Sequence, residues 1–125
     1  AYTAVDRAES ERDLAMAVNA GAPAAFARAL ASQGGRLLQV STDFVFDGER
    51  SAPYPPDHAT APLGVYGASK EAGERAALEL NGARVLRTSW VYGPVGHNFC
   101  LTMLRLHAAR AAAGQPLAVV ADQVV

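Results

Sequence analysis

Arg36-Leu37-Leu38-Gln39-Val40-Ser41-Thr42-Asp43 is the stretch whose reading decides the fold. It is a short apolar run that follows Gly34-Gly35 and gives way to hydroxyl and carboxylate residues, the pattern of a buried, parallel strand over 36–40. Upstream, Leu14, Ala17, Val18, Ala22, Ala25, Phe26, Ala29 and Leu30 recur at three- and four-residue steps between Ala8 and Ser32, which predicts helix. Gly21 and Pro23 interrupt that pattern, so two helical stretches are expected, with a junction near Asn19 and Pro23 in the first turn of the second.

Downstream, the Pro- and Asp-containing segment 51–62 reads as a surface loop. Helix is predicted over 68–80, with Ala72, Ala76 and Leu80 on its apolar face, Glu71, Glu74, Arg75 and Glu79 elsewhere, and Asn81-Gly82 as its stop. A strand over 84–89 follows. Next comes a helix over 98–112 with Phe99, Met103 and Leu106 turned inward, and a strand beginning at Leu117. Strands alternating with helices imply parallel crossover units in an α/β sheet. No internal repeat or low-complexity linker divides the chain.

Composition narrows the function classes. Of 125 residues, 50% are apolar and 18% charged, the balance of a globular protein with a packed core. The net charge of -1 gives no footprint for nucleic acid or for an anionic membrane surface. Unbroken apolar runs are short and rich in alanine, below the roughly 18 residues of a membrane span. The lone Cys100 has no internal disulfide partner and no metal-ligand spacing, which fits a reducing, cytoplasmic compartment. The termini, Ala1 without an initiator Met and Val124-Val125 directly after a strand-like run, suggest a piece of a longer chain.

In open α/β sheets, ligands gather at the carboxyl ends of strands. Ser41-Thr42-Asp43, Thr88-Ser89-Trp90 and Asp122-Gln123 fall there, although such residues also begin loops and cap helices. Tyr66 is followed four residues later by Lys70, a spacing that puts both on one helix face. A positive charge there would favour the phenolate and lower a tyrosine pKa of about 10, suiting Tyr66 to proton exchange with an alcohol or ketone. Ten of the eleven basic residues are arginine, so Lys70 is the only lysine. A compact ammonium is not interchangeable with guanidinium, and its retention hints at a specific role. The hydroxyls of Ser41 and Thr42 could stabilise charge on the same substrate oxygen.

These residues resemble a family. Ser41-Thr42-Asp43-Phe44-Val45-Phe46-Asp47-Gly48 and Ala61-Pro62-Leu63-Gly64-Val65-Tyr66-Gly67-Ala68-Ser69-Lys70 are similar to the extended short-chain dehydrogenase/reductases. Within them, Ala1-Tyr2-Thr3-Ala4-Val5-Asp6, Arg87-Thr88-Ser89-Trp90-Val91-Tyr92-Gly93 and His97-Asn98-Phe99 resemble the dTDP-4-dehydrorhamnose reductase family.

The resemblance implies a Rossmann-like, doubly wound parallel sheet, with residues 1–125 forming part of one NAD(P)-binding domain in an enzyme of about 300 residues. It implies reduction of the C4 ketone of dTDP-4-dehydro-L-rhamnose, with Thr42, Tyr66 and Lys70 as the catalytic set. Ala1, Tyr2, Thr3, Tyr66 and Lys70 would contact the cofactor, NADPH with NADH as the alternative. Thr42, Asp43 and Trp90 would contact the nucleotide-sugar; a tryptophan after a strand is more commonly core. Asn19 would support the site by shaping the backbone, whereas His58, His97 and His107 read as surface or loop residues.

The glycine-rich phosphate turn of such enzymes does not occur in these residues, and Val124-Val125 departs from the usual Tyr-Gly. A homodimer is implied for the full-length protein, with Mg2+ contacts outside this chain. Two other readings remain open: a non-catalytic NADP-binding regulatory subunit of the methionine adenosyltransferase type, and a nucleotide-sugar epimerase or dehydratase.

Overall fold

The computed structural model describes residues 1–119. Leu38–Thr42 forms β1 and Arg84–Thr88 forms β2, paired in parallel from Leu38 opposite Arg84 to Thr42 opposite Thr88. The helices are α1 (Val5–Ala8), α2 (Arg12–Met16), α3 (Ala22–Ala31), α4 (Val65–Leu78) and α5 (Phe99–Ala112). A 3-10 turn, Asp43–Val45, follows β1, and α4 provides the crossover between the strands. The chain divides into two compact units, one over Ala1–Thr88 and one beginning at Ser89.

The expected junction near Asn19 is not a break. Ala17–Gly21 winds as a π-helical turn that joins α2 directly to α3. Pro23 has no N–H to give to the carbonyl of Asn19, the bond an uninterrupted α-helix would need, and the wider turn accommodates that loss. The resulting run, Arg12–Ala31, is long and apolar enough by length and composition to cross a membrane, unlike the short runs seen in the sequence. Its spacing tells of another use: Ala15, Asn19, Pro23 and Ala27, each four residues on, are buried. The α2, π-turn and α3 segments all pack on α4.

That packing is close because the residues are small. Buried apolar side chains in the first unit are Ala8, Ala15, Ala27, Ala77 and Ala83, joined by Val45 and Leu80. Leu30 and Leu37 close over Ala27, Leu80 and Ala83. A Cβ at Gly73 would lie 2.0 Å from the Asn19 carbonyl oxygen, and one at Gly67 would lie 2.2 Å from that of Phe44. The two glycines therefore let α4 approach the π turn on one side and the 3-10 turn on the other, at distances no other residue permits.

Several expectations are corrected here. Helix α4 begins at Val65, three residues before Ala68, because Gly64 is extended at its N-cap and the Glu9 carboxylate accepts a bond from the Val65 N–H at 2.8 Å. Strand β1 is parallel but not buried along its length: Leu38 and Val40 are exposed, as is Leu86 on β2. Among the described residues the sheet has two strands, so these side chains have no neighbouring layer over them. In the second unit α5 buries no residue, so Phe99 and Leu106 are not enclosed as expected, and Leu117–Val119 has no regular structure. Phe99, Cys100, Met103, Leu104 and His107 instead line an open apolar groove with Leu117 and Val119.

Candidate functional site

Thr42 is the last residue of β1, and its Oγ1 accepts a bond from the Phe44 N–H at 3.2 Å, which starts the 3-10 turn. The same hydroxyl donates to the Asp43 carboxylate at 2.9 Å. Tyr66, in the first turn of α4, is half-buried and meets Phe44 edge-on with ring centroids 5.6 Å apart. Lys70 is one turn further along α4, buried, and its Nζ donates to the Val40 carbonyl at 2.7 Å. The structure thus gathers Thr42, Asp43, Tyr66 and Lys70 between the carboxyl end of β1 and the amino end of α4. Close approach at Gly67 sets the distance between those two elements.

The electrostatics differ from the sequence expectation. Burial pushes the Tyr66 phenol above its ordinary range and Asp43 adds to the rise, while the Thr42 hydroxyl pulls it down. Lys70 is not among the groups that shift it; the ammonium is turned to the Val40 carbonyl. Burial lowers the Lys70 pKa, and the Glu74 carboxylate opposes that. These effects leave the Tyr66 phenol protonated at neutral pH, without the lowering by lysine that the spacing of four suggested.

The sequence pattern sets Glu74 among the polar residues away from the apolar face of α4. It is 3% exposed. Its carboxylate receives Arg87 Nε at 3.0 and 3.2 Å and Nη2 at 2.7 Å, a bidentate pair that ties α4 to β2. Arg87 also donates to the Pro56 carbonyl at 3.2 Å and lies 4.9 Å over the Phe46 ring. Phe46 stacks in turn on Tyr54 at 4.2 Å, and the Tyr54 hydroxyl donates to Asp47 at 2.6 Å. The loop after the 3-10 turn is thereby fastened to the helix that carries Tyr66 and Lys70. The signal available in the sequence was Glu74 four residues after Lys70, next to a glycine.

Asn19 is buried within the π turn, where its Oδ1 accepts the Tyr2 N–H at 2.9 Å and its Nδ2 donates to the Tyr2 carbonyl at 3.0 Å. The carboxamide serves Tyr2 as a neighbouring peptide group would in a sheet. Tyr2 is thus anchored, while Ala1 and Thr3 on either side are exposed. Trp90 falls in the second unit, 47% exposed and edge-on to Phe99 at 5.0 Å, so it is not a core residue. Its φ of 50° is in the left-handed region, a strained position for a large side chain. Thr88 ends β2 in register with Thr42, and Asp122-Gln123 lies outside the described residues. No cluster of three or more His, Cys, Asp or Glu side chains that could hold a metal ion occurs among the described residues.

One acidic group near the site gives a pH dependence. The Thr60 hydroxyl and the Arg75 guanidinium hold the Glu71 carboxyl below its ordinary range. A carboxyl depressed by folding stabilises the fold at neutral pH, and that contribution is lost as pH falls below the unfolded value of about 4.3 and through the folded one. Glu71→Gln is expected to lower stability at pH 7 and to flatten its acid-side decline, read by urea unfolding at a series of pH values. A parallel decline in both proteins would contradict this.

Comparison with known proteins places the chain in a family. The RmlD substrate binding domain family matches residues 1–125. A dTDP-4-dehydrorhamnose reductase of Streptomyces griseus is 52% identical over 110 residues, covering 86% of this chain and 36% of its own length. One from Sinorhizobium fredii is 48% identical over 125 residues, covering 99% of this chain and 41% of its own. The crystal structure of a dTDP-4-dehydrorhamnose reductase from Bacillus anthracis in complex with NADP superposes with a TM-score of 0.84 at 49% identity, covering 88% of this chain and 40% of that one. This chain therefore spans about two fifths of the length of the relatives it matches. Its α/β arrangement is of the Rossmann type. With the matched region running from Ala1 to Val125, the chain belongs to the RmlD substrate binding domain family.

Proposed function

We propose that this chain carries the catalytic part of an NADPH-dependent reductase acting on dTDP-4-dehydro-L-rhamnose, and that residues 1–125 form part of one cofactor-binding domain. The observation that carries the reading is the meeting of Thr42, Tyr66 and Lys70 at the carboxyl end of β1. The relatives named above are dTDP-4-dehydrorhamnose reductases, and the B. anthracis protein is in complex with NADP.

The residues suit a dinucleotide. An ammonium has three N–H donors, and Lys70 spends one on the Val40 carbonyl, leaving two for the hydroxyls of a ribose. The anchored backbone at Tyr2, with Ala1 and Thr3 exposed beside it, offers peptide groups to the same ligand. Bound NADPH would supply a hydride to the C4 carbon of the keto-sugar. Thr42 would hold the C4 carbonyl oxygen by turning its one hydroxyl proton from the Asp43 carboxylate to that oxygen. As charge develops on that oxygen, Tyr66 would give it the phenolic proton, so ketone plus hydride plus proton becomes alcohol. Asp43 would contact the sugar nucleotide, and the left-handed backbone at Trp90 supports a functional placement of its ring. The exposed, unpaired Cys100 favours a reducing, cytoplasmic setting, and we extend the proposal to a homodimer of the full-length protein.

The test is consumption of NADPH by the full-length protein supplied with dTDP-4-dehydro-L-rhamnose, one cofactor oxidised per dTDP-L-rhamnose formed. Turnover that leaves free NADPH untouched and depends on tightly held NAD would replace this reading with an epimerase or dehydratase. No turnover, with a partner enzyme recovered in stoichiometric amount, would replace it with a regulatory subunit.

A further inference from the structure

Ser69 is fully buried and sits in α4 between Tyr66 and Lys70 in sequence. Its hydroxyl donates to the Tyr66 carbonyl at 2.7 Å and accepts from Asn19 Nδ2 at 3.0 Å. The polarity of both bonds is fixed. A hydroxyl has one proton, and here the carbonyl can only accept and the amide nitrogen can only donate. Asn19 is fixed as well: Nδ2 uses its two protons on Ser69 Oγ and the Tyr2 carbonyl, and Oδ1 accepts the Tyr2 N–H. Turning the amide over would set its NH2 against the Tyr2 N–H and its oxygen against the Tyr2 carbonyl.

We propose that Ser69 is a positioning residue, its hydroxyl tying the first turn of α4, and with it the Tyr66 phenol, to the Asn19 clamp on Tyr2. The functional half of the proposal rests on the reductase reading above. Residues 2 and 66, distant in sequence, are joined through two buried side chains with every donor committed. The tie has no slack, because the Asn19 carbonyl would lie 2.0 Å from a Cβ at Gly73, one turn along the same helix. A shift of Tyr2 on binding a ligand is thereby transmitted to the turn that aims the phenol.

The full-length protein is compared with its Ser69→Ala, Ser69→Cys and Asn19→Ala forms and with the Asn19→Ala/Ser69→Ala double variant. Removing the hydroxyl is expected to lower kcat per folded molecule about tenfold at saturating NADPH and keto-sugar, since a misplaced donor loses rate without losing binding. NADPH affinity stays within about twofold, and the double variant is no slower than Asn19→Ala alone, because both remove the same connection. Ser69→Cys puts a weak donor there in a slightly larger side chain and falls between; it serves alone if Ser69→Ala does not fold. The NMR signal of isotope-labelled Tyr66 is followed in each protein and is expected to move with Ser69→Ala. A lower melting temperature with unchanged kcat per folded molecule, or an unmoved Tyr66 signal, overturns the proposal. If the unsubstituted protein fails to reduce the keto-sugar, the reductase reading falls and the Tyr66 signal alone decides whether the tie exists.

Discussion

Tyr66→Phe in the full-length protein is expected to lower kcat by about 10²- to 10⁴-fold, the ordinary worth of a positioned proton donor. The substitution removes one hydroxyl and leaves the ring. The edge-on packing against Phe44 at 5.6 Å is kept, α4 loses no backbone bond, and Lys70 remains on the Val40 carbonyl. The melting temperature and the affinity for NADPH should therefore change little, and the loss should be confined to the chemical step. Single-turnover oxidation of NADPH separates that step from binding. The pH profile adds a second reading. Burial raises the phenol pKa and lowers that of Lys70. A phenol that must stay protonated does not limit the rate near neutrality, so the first fall in activity as pH rises belongs to loss of the Lys70 proton, below its ordinary range. Full turnover in the Tyr66→Phe protein would remove Tyr66 from the mechanism.

Arg87→Ala is expected to cost about 3–5 kcal/mol of stability, the loss typical when one partner of a buried ion pair is removed. The Glu74 side chain is 4% exposed and would be left charged without its ion-pair partner, offset only through the Lys70 ammonium, while Arg87, at 24%, also gives up its stack on Phe46 and its bond to Pro56. Urea unfolding measures the change. Adding Glu74→Gln to Arg87→Ala should recover part of the loss, because the buried charge then goes too; a neutral amide costs less to bury than a carboxylate. If the single variant loses less than about 1 kcal/mol, the pair behaves like an exposed one and water must reach Glu74.

Much of this architecture was legible in the order of residues. The two parallel strands and the helix between them follow from short apolar runs punctuated by Gly34-Gly35 and Asn81-Gly82, local signals that need no partner to be read. That Thr42, Tyr66 and Lys70 lie together was legible by chemistry, as a strand-end hydroxyl and a phenol spaced from the single lysine, and the roles given to them are those of the proposal. What escaped depends on neighbours remote in the chain. Glu74 looks like a surface residue until β2 brings Arg87 to it, and Ser69 looks like a helix filler until the π turn brings Asn19. The start of α4 was missed because its orphan Val65 N–H is satisfied by Glu9, far upstream. The sign of the Tyr66 shift was missed for the same reason: i to i+4 spacing fixes a shared face, not where the ammonium points.

The π turn at Ala17–Gly21 works as a phase compensator. A single residue advances an α-helix by about 100° around its axis, and a π turn takes up one residue more than the α-helical path it replaces. The surplus residue is thus absorbed without rotating α2 relative to α3. A residue deleted from α2 itself, where nothing takes up the difference, would turn everything before it by about 100°. Tyr2 would then be carried away from the carboxamide that holds it, while α3 stayed seated on α4. The alignment between the amino-terminal segment and the phenol thus depends on the count of residues along one helix, and a change of length there would be felt where no side chain had been altered.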